Sequence, residues 1–205
     1  MATLLDAASA PSVAPHVASG PAPAVLASLH DPAVNLAVWA RTLDDRLLAE
    51  LASLDLCCAQ DLRLTATPDE LATALPPAMA AAGWQAPALT EDMVMLARRF
   101  AGVMACTSVD LRLDLVRGDA CRKFHADFVP ARLVTTYLGP GTDWLPDGAA
   151  DEAAARRLAA GAVGLFKGRT WPTQTPIIHR SPPIAGTGQV RVVLVINPRN
   201  AGTGC

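Results

Sequence analysis

Lysine is almost missing from this chain: Lys123 and Lys167 are the only two among 17 basic residues. No basic residue precedes Arg41, so the N-terminus offers neither the charged start of a secretory signal nor an arginine-rich transit peptide. Aromatics are scarce, at 4% with a single tyrosine, while alanine and arginine are heavily used. That joint bias reads as a composition effect, so the mere presence of an arginine carries no weight. A formal charge of −2 leaves no electrostatic footprint for nucleic acid or an anionic membrane. No apolar run reaches the length of a membrane span, and the expected location is cytoplasmic. The five cysteines (Cys57, Cys58, Cys106, Cys121, Cys205) are odd in number and lack C-x-x-C spacing, against both a disulfide framework and a zinc ribbon.

What is present suffices for one sizeable core in 205 residues. Residues 1–30 are Ala, Pro and Ser without a sustained period, the composition of a disordered leader. Residues 31–105 read as a helical N-terminal layer. Val34 to Trp39 is a short strand or a helix start. Thr42, with Asp45 at the box position, opens a helix carrying Leu43, Leu47, Leu51 and Leu54. After a short strand at Asp61 to Ala66, Thr67-Pro68-Asp69-Glu70 starts a second helix, which Pro76-Pro77 should end or kink. Thr90-Glu91-Asp92 opens a third, with Met93, Leu96, Phe100, Val103 and Met104 as its apolar face.

From 106 to 198 the period changes. Val109, Leu111, Leu113 and Leu115 alternate with charged residues, the pattern of a half-buried strand. Further strands are expected around His125, at Arg132 to Leu138, Ala162 to Phe166, Pro176 to Arg180 and Val190 to Ile196, with a short helix or insertion at Asp151 to Ala160. Residues 199–205 are a tail. Strands after a helical half give an α+β protein, with N-terminal helices packed on a small β-barrel or sandwich.

The chemistry gathers in Cys121-Arg-Lys-Phe-His-Ala-Asp-Phe128, with Ile177-Ile-His179 and Arg191 downstream. On a strand, His125 and Asp127 share a face. With His179 they make two imidazoles and a carboxylate, the ligand set of non-haem Fe(II) sites with open positions. A His-x-Asp pair alone is weak, and a strand histidine is more often a hydrogen-bonded structural residue. Here, however, the two histidines of the β half both lie on expected strands, and Arg191 begins the last one. Parity also places Cys121 and Lys123 beside His125, and Cys121 as a fourth ligand would favour Zn(II). Trp144, Trp171 and Arg180-Ser181 are weaker candidates for a substrate or anion site, with core or surface roles equally open.

The order of these motifs resembles the Fe(II)/2-oxoglutarate-dependent dioxygenases of the cupin-type, jelly-roll double-stranded β-helix, in their prolyl-hydroxylase-like branch. The matching segments are His125-Ala-Asp127, Tyr137-Leu138, Gly161 to Phe166, His179 and Arg191, over residues 106–198. Over residues 32–198 the chain is also similar to an uncharacterised bacterial family of unknown function, marked by Phe-His-Ala-Asp, Tyr-Leu-Gly-Pro-Gly-Thr and His-Arg-Ser-Pro-Pro. Some of its members neighbour zinc-homeostasis genes. The first resemblance implies Fe(II) held by His125, Asp127 and His179, and 2-oxoglutarate paired through its distal carboxylate with Arg191 and Tyr137. It also implies hydroxylation of a small molecule or a protein side chain. The alternative it leaves is a zinc-binding, cupin-like protein of metal homeostasis without turnover.

Overall fold

The computed structural model describes residues 14, 16–146, 149, 151–172 and 176–199. The expected tail beyond 199, and residues 1–13 and 15 of the expected leader, lie outside them. In order the elements are β1 (Val17–Gly20), a 3-10 helix (Pro23–His30), β2 (Leu36–Trp39), α1 (Asp45–Ser53), β3 (Leu62–Ala66), α2 (Pro68–Ala81) and α3 (Pro87–Met104). There follow β4 (Ser108–Val116), β5 (Ala131–Leu138), β6 (Asp143–Trp144), a 3-10 turn (Glu152–Ala154) and β7 (Arg156–Arg157). The chain closes with β8 (Val163–Lys167), β9 (His179–Arg180) and β10 (Arg191–Arg199).

Two sheets result: a large one ordered β1-β2-β8-β5-β10-β4-β3 and a small one ordered β7-β6-β9. Alternation decides which side each residue serves. Val109, Leu111 and Leu113 of β4, Leu133 and Tyr137 of β5, and Val192, Leu194 and Ile196 of β10 pack under the helices, with Leu71, Leu89, Met93 and Phe100. The opposite face supplies Leu36, Val134, Phe166, Val193 and Val195, which meet Trp144, Leu158 and Ile177 across the gap between the sheets. This is the expected α+β arrangement, helices on one face of a double-stranded β-helix whose sheets enclose a second core.

Several local expectations need correction. Residues 17–30, read as disordered, form β1, parallel to β2, and a 3-10 helix whose Leu26 and Leu29 are buried. Their sparse apolar residues suffice because the sheet edge and helical layer are already there to receive them. Within the helical N-terminal layer, the stretch at Val34 to Trp39, read as a strand or a helix start, is strand β2, the short strand read at Asp61 to Ala66 is β3, and both join the large sheet. Asp44, not Thr42, caps α1, accepting from Leu47 N–H at 2.8 Å. The Thr67/Glu70 capping box forms as read, yet α2 runs through Pro76 and Pro77. Both prolines are exposed, so water can satisfy the carbonyls they leave, while Leu71, Leu75 and Met79 hold the buried face. α3 begins at Pro87, before Thr90; the Glu50 carboxylate from α1 accepts from Ala88 and Leu89 N–H, both at 2.8 Å. An acid at a helix N-terminus is favoured by its orphan donors and dipole.

Candidate metal centre

The segment around His125 is not a regular strand. It touches the small sheet through one bridge, in which His125 and His179 exchange backbone hydrogen bonds of 3.0 and 2.9 Å. Beyond it the chain curls onto the end of β8: Arg169 N–H donates to Asp127 O and Gly168 N–H to Pro130 O, both at 2.8 Å. Gly168 permits this approach, since a Cβ there would lie 2.0 Å from Val129 O. His125 and Asp127 thus converge through a pinned loop rather than through strand alternation.

The outcome is one cluster: ligand atoms of His125, Asp127 and His179 all lie within 4.8 Å of one another. His125 Nδ1 is 2.8 Å from Lys123 O, a contact that calls for N–H there and leaves the Nε2 lone pair facing Asp127, 3.6 Å from its Oδ1. His179 Nε2 stands 3.0 Å from Asp127 Oδ2, and the His179 ring packs on Phe166 with centroids 4.5 Å apart. Arg132, which sequence reasoning passed over, donates to Asp127 Oδ1 and, through Nε, to Asn197 Oδ1 at 2.9 Å. Burial alone would raise the Asp127 carboxyl, but the adjoining imidazoles of His125 and His179 and the charge of Arg132 hold it well below the usual carboxylate range. His125 is shifted upward, mainly by Asp127. Asp127 Oδ2 and His179 Nδ1 are buried without a hydrogen-bond partner. An ionised carboxylate with an orphaned oxygen, between two imidazoles of which one has its tautomer set, fits a divalent cation.

The cluster borders a cavity of about 360 Å³ between the sheets, and Arg191 lines it too. Arg191 is 1% exposed. Its Nε donates to Pro140 O at 2.7 Å, and its terminal nitrogens to Ser181 Oγ at 2.5 Å, Thr136 Oγ1 at 3.3 Å and Thr142 Oγ1 at 3.4 Å. These partners are neutral, and burial pushes the guanidinium down to about 10. The Gly139-Pro-Gly-Thr142 turn packs over it: Gly139 has φ +80°, and a Cβ there would stand 3.0 Å from Arg191 Cγ. A buried cation held by neutral groups has the chemistry to pair with an anion.

Other candidates fall elsewhere. Tyr137 points to the helical face, donates to Asp92 Oδ2 at 2.6 Å and lines no part of the cavity. Strand parity explains this correction, since on β5 it is Arg132, Val134 and Thr136 that face inward. Trp144 is buried in the inter-sheet core with Arg156 over its ring, and Trp171 packs near His30 and Lys167. Neither borders the cavity beside the His125/Asp127/His179 cluster. Arg180 does line it, but pairs with Asp143 and Glu152 and covers Phe124. Cys121 lines the cavity without joining the ligand cluster, so the fourth ligand that would favour zinc is not found among the described residues. Lys123 is exposed.

No helix among the described residues is long and apolar enough to cross a membrane. No curated protein matches the sequence. Among solved structures, the rice dioxygenase for auxin oxidation is similar at TM-score 0.52 and 14% identity, over 89% of this chain and 82% of that one. A Pseudomonas putida prolyl-4-hydroxylase is similar at TM-score 0.50 and 13% identity, over 87% and 98%. At such identities the likeness speaks for the fold alone. A family profile described as "Protein of unknown function (DUF1826)" matches residues 20–197. The chain, with its His125/Asp127/His179 cluster set in a dioxygenase-like fold, therefore belongs to the DUF1826 family.

Proposed function

We propose that this protein is an Fe(II)- and 2-oxoglutarate-dependent oxygenase acting on a small molecule, with hydroxylation as its reaction. The observation that carries the reading is a pair of sites on one cavity: the three-residue cluster with its orphaned carboxylate oxygen, and the buried Arg191, whose hydrogen-bond partners among the described residues are neutral. His125, Asp127 and His179 hold the metal, and Arg191 receives the distal carboxylate of the keto acid through its planar fork. Thr136, Thr142 and Ser181 keep that fork oriented. Arg132 fixes the Asp127 carboxylate. Fe(II) with the keto acid would supply the oxygen-activating chemistry; the protein supplies the ligands and the orientation.

The test is anaerobic addition of Fe(II) and 2-oxoglutarate to the purified chain, followed by absorption spectroscopy. A metal-to-ligand charge-transfer band is expected in the wild type. Arg191→Ala should lose the band's dependence on the keto acid while metal stays bound, and His125→Ala should lose both. A wild type that takes up metal but gives no band with 2-oxoglutarate overturns the proposal.

A further inference from the structure

We propose that the substrate side of the cavity receives a small anion, whose carboxylate or phosphate group is met by Arg63 and Arg112. This names a substrate class for the same site and so rests on the reading above. Among the described residues, six arginines line the cavity against two aspartates, Asp61 and Asp114. Four of the six have evident employment. Arg191 sits among its hydroxyls, Arg132 holds Asp127 and Asn197, Arg180 pairs with Asp143 and Glu152, and Arg117 donates to Leu56 O.

The remaining two face each other. Arg63 of β3 and Arg112 of β4 are direct partners in the antiparallel register. Like charges placed so are destabilising. The compensation is partial: Asp114 feels the charge of both arginines, yet Arg112 Nε, 3.0 Å from its Oδ2, lacks the alignment of a hydrogen bond, and Asp114 Oδ1 is buried without a donor. Asp61, the other nearby acid, accepts from Leu115 N–H at 2.8 Å through its Oδ1. The same strand pair matches groups where no cavity is involved, since Thr65 donates to Asp110 across it at 2.6 Å. The paired cations on the cavity wall are thus a local conflict in an otherwise complementary ladder. A ligand of opposite charge resolves it, and two guanidinium forks suit an oxyanion.

Their position suits a substrate. Arg112 pairs with Val195, and Val195 with Val134, two residues from the Arg132 that clamps Asp127. At about 4.8 Å per strand, an anion on β3–β4 is a small molecule's length from the metal centre. Arg191 lies four residues from Val195 on β10, about 13 Å along the strand, so the co-substrate's anion and the substrate's have separate receptors. A volume of about 360 Å³ is near the lower end of small-molecule sites, which span about 300–1,000 Å³.

Inorganic phosphate and acetate, titrated calorimetrically into the full chain with and without 2-oxoglutarate, test the proposal without requiring turnover. At least one probe should bind. Arg63→Gln/Arg112→Gln should weaken it at least about tenfold, as expected for lost charge-assisted hydrogen bonds, while the charge-transfer band with Fe(II) and 2-oxoglutarate persists. Which probe binds more tightly separates carboxylate from phosphate substrates. The single, exposed Arg63→Gln should weaken binding in the same direction and guards against misfolding of the double variant. If neither probe binds the wild type, or the double variant binds as the wild type does, the anion receptor is refuted. A missing charge-transfer band with anion binding intact would instead refute the oxygenase reading alone.

Discussion

Replacing Tyr137 by Phe separates the two roles open to the chain's single tyrosine. Its hydroxyl donates to Asp92 Oδ2 at 2.6 Å on the helical side of the sheet, and Asp92 also accepts from Arg41 at 2.6 and 2.8 Å. Tyr137 is fully buried, and burial followed by the nearby Asp92 charge holds its hydroxyl well above the ordinary tyrosine value, so it remains a donor. A hydrogen bond to a charged group contributes about 1.5–3 kcal/mol. Arg41 keeps the carboxylate satisfied after the substitution, which places the cost near the lower end, about 2 kcal/mol. In a chain of this length that corresponds to roughly 4–8 °C in Tm. Asp92→Ala should cost more, about 3–5 kcal/mol, because it strands the buried Arg41 guanidinium. Urea and thermal unfolding of the single and double variants give the coupling, and a 2-oxoglutarate titration on Tyr137→Phe should be unchanged. Unaltered stability with weakened keto-acid binding would refute the placement of Tyr137 outside the site.

Three further outcomes are expected. Fe(II) at a hundredfold excess over its Kd should stabilise the chain by about 2.7 kcal/mol, an increment that His125→Ala removes in thermal unfolding. Gly168→Ala should displace the Asp127 loop, since the new Cβ would meet Val129 O at 2.0 Å; metal affinity should fall about 10–100-fold, as for other supports of ligands, measured by competition with a chelator. Asp119 is held below its ordinary value chiefly by Ala185 N–H, with Ile184 N–H adding to it. A depressed folded value means its contribution is present above the unfolded value of about 3.9 and lost as pH falls through the folded one. Asp119→Asn should therefore lose less stability than the wild type between pH 6 and pH 3 in urea melts.

The convergence of His125, Asp127 and His179 was legible because histidine is rare in the β half. Arg191 was legible from its place at the start of β10. Arg132 was not, since arginine is too abundant here to stand out, though its inward parity on β5 was a usable signal. The same parity argued against Tyr137, which sits one position from the inward-facing Thr136. Thr136 and Thr142 were invisible, because hydroxyls that orient a guanidinium carry no pattern of their own. The start of α3 was misplaced for a related reason: its cap, Glu50, belongs to another helix, and local spacing cannot report a partner 38 residues away.

The N-terminal strand has a practical consequence for anyone who trims the chain. Removing everything before residue 31 would take away Leu26 and Leu29, both at most 1% exposed, and strip β2 of its parallel neighbour. The unpaired rim left behind would be an open seam along which copies of the protein can zip together, so material shortened there should tend to precipitate.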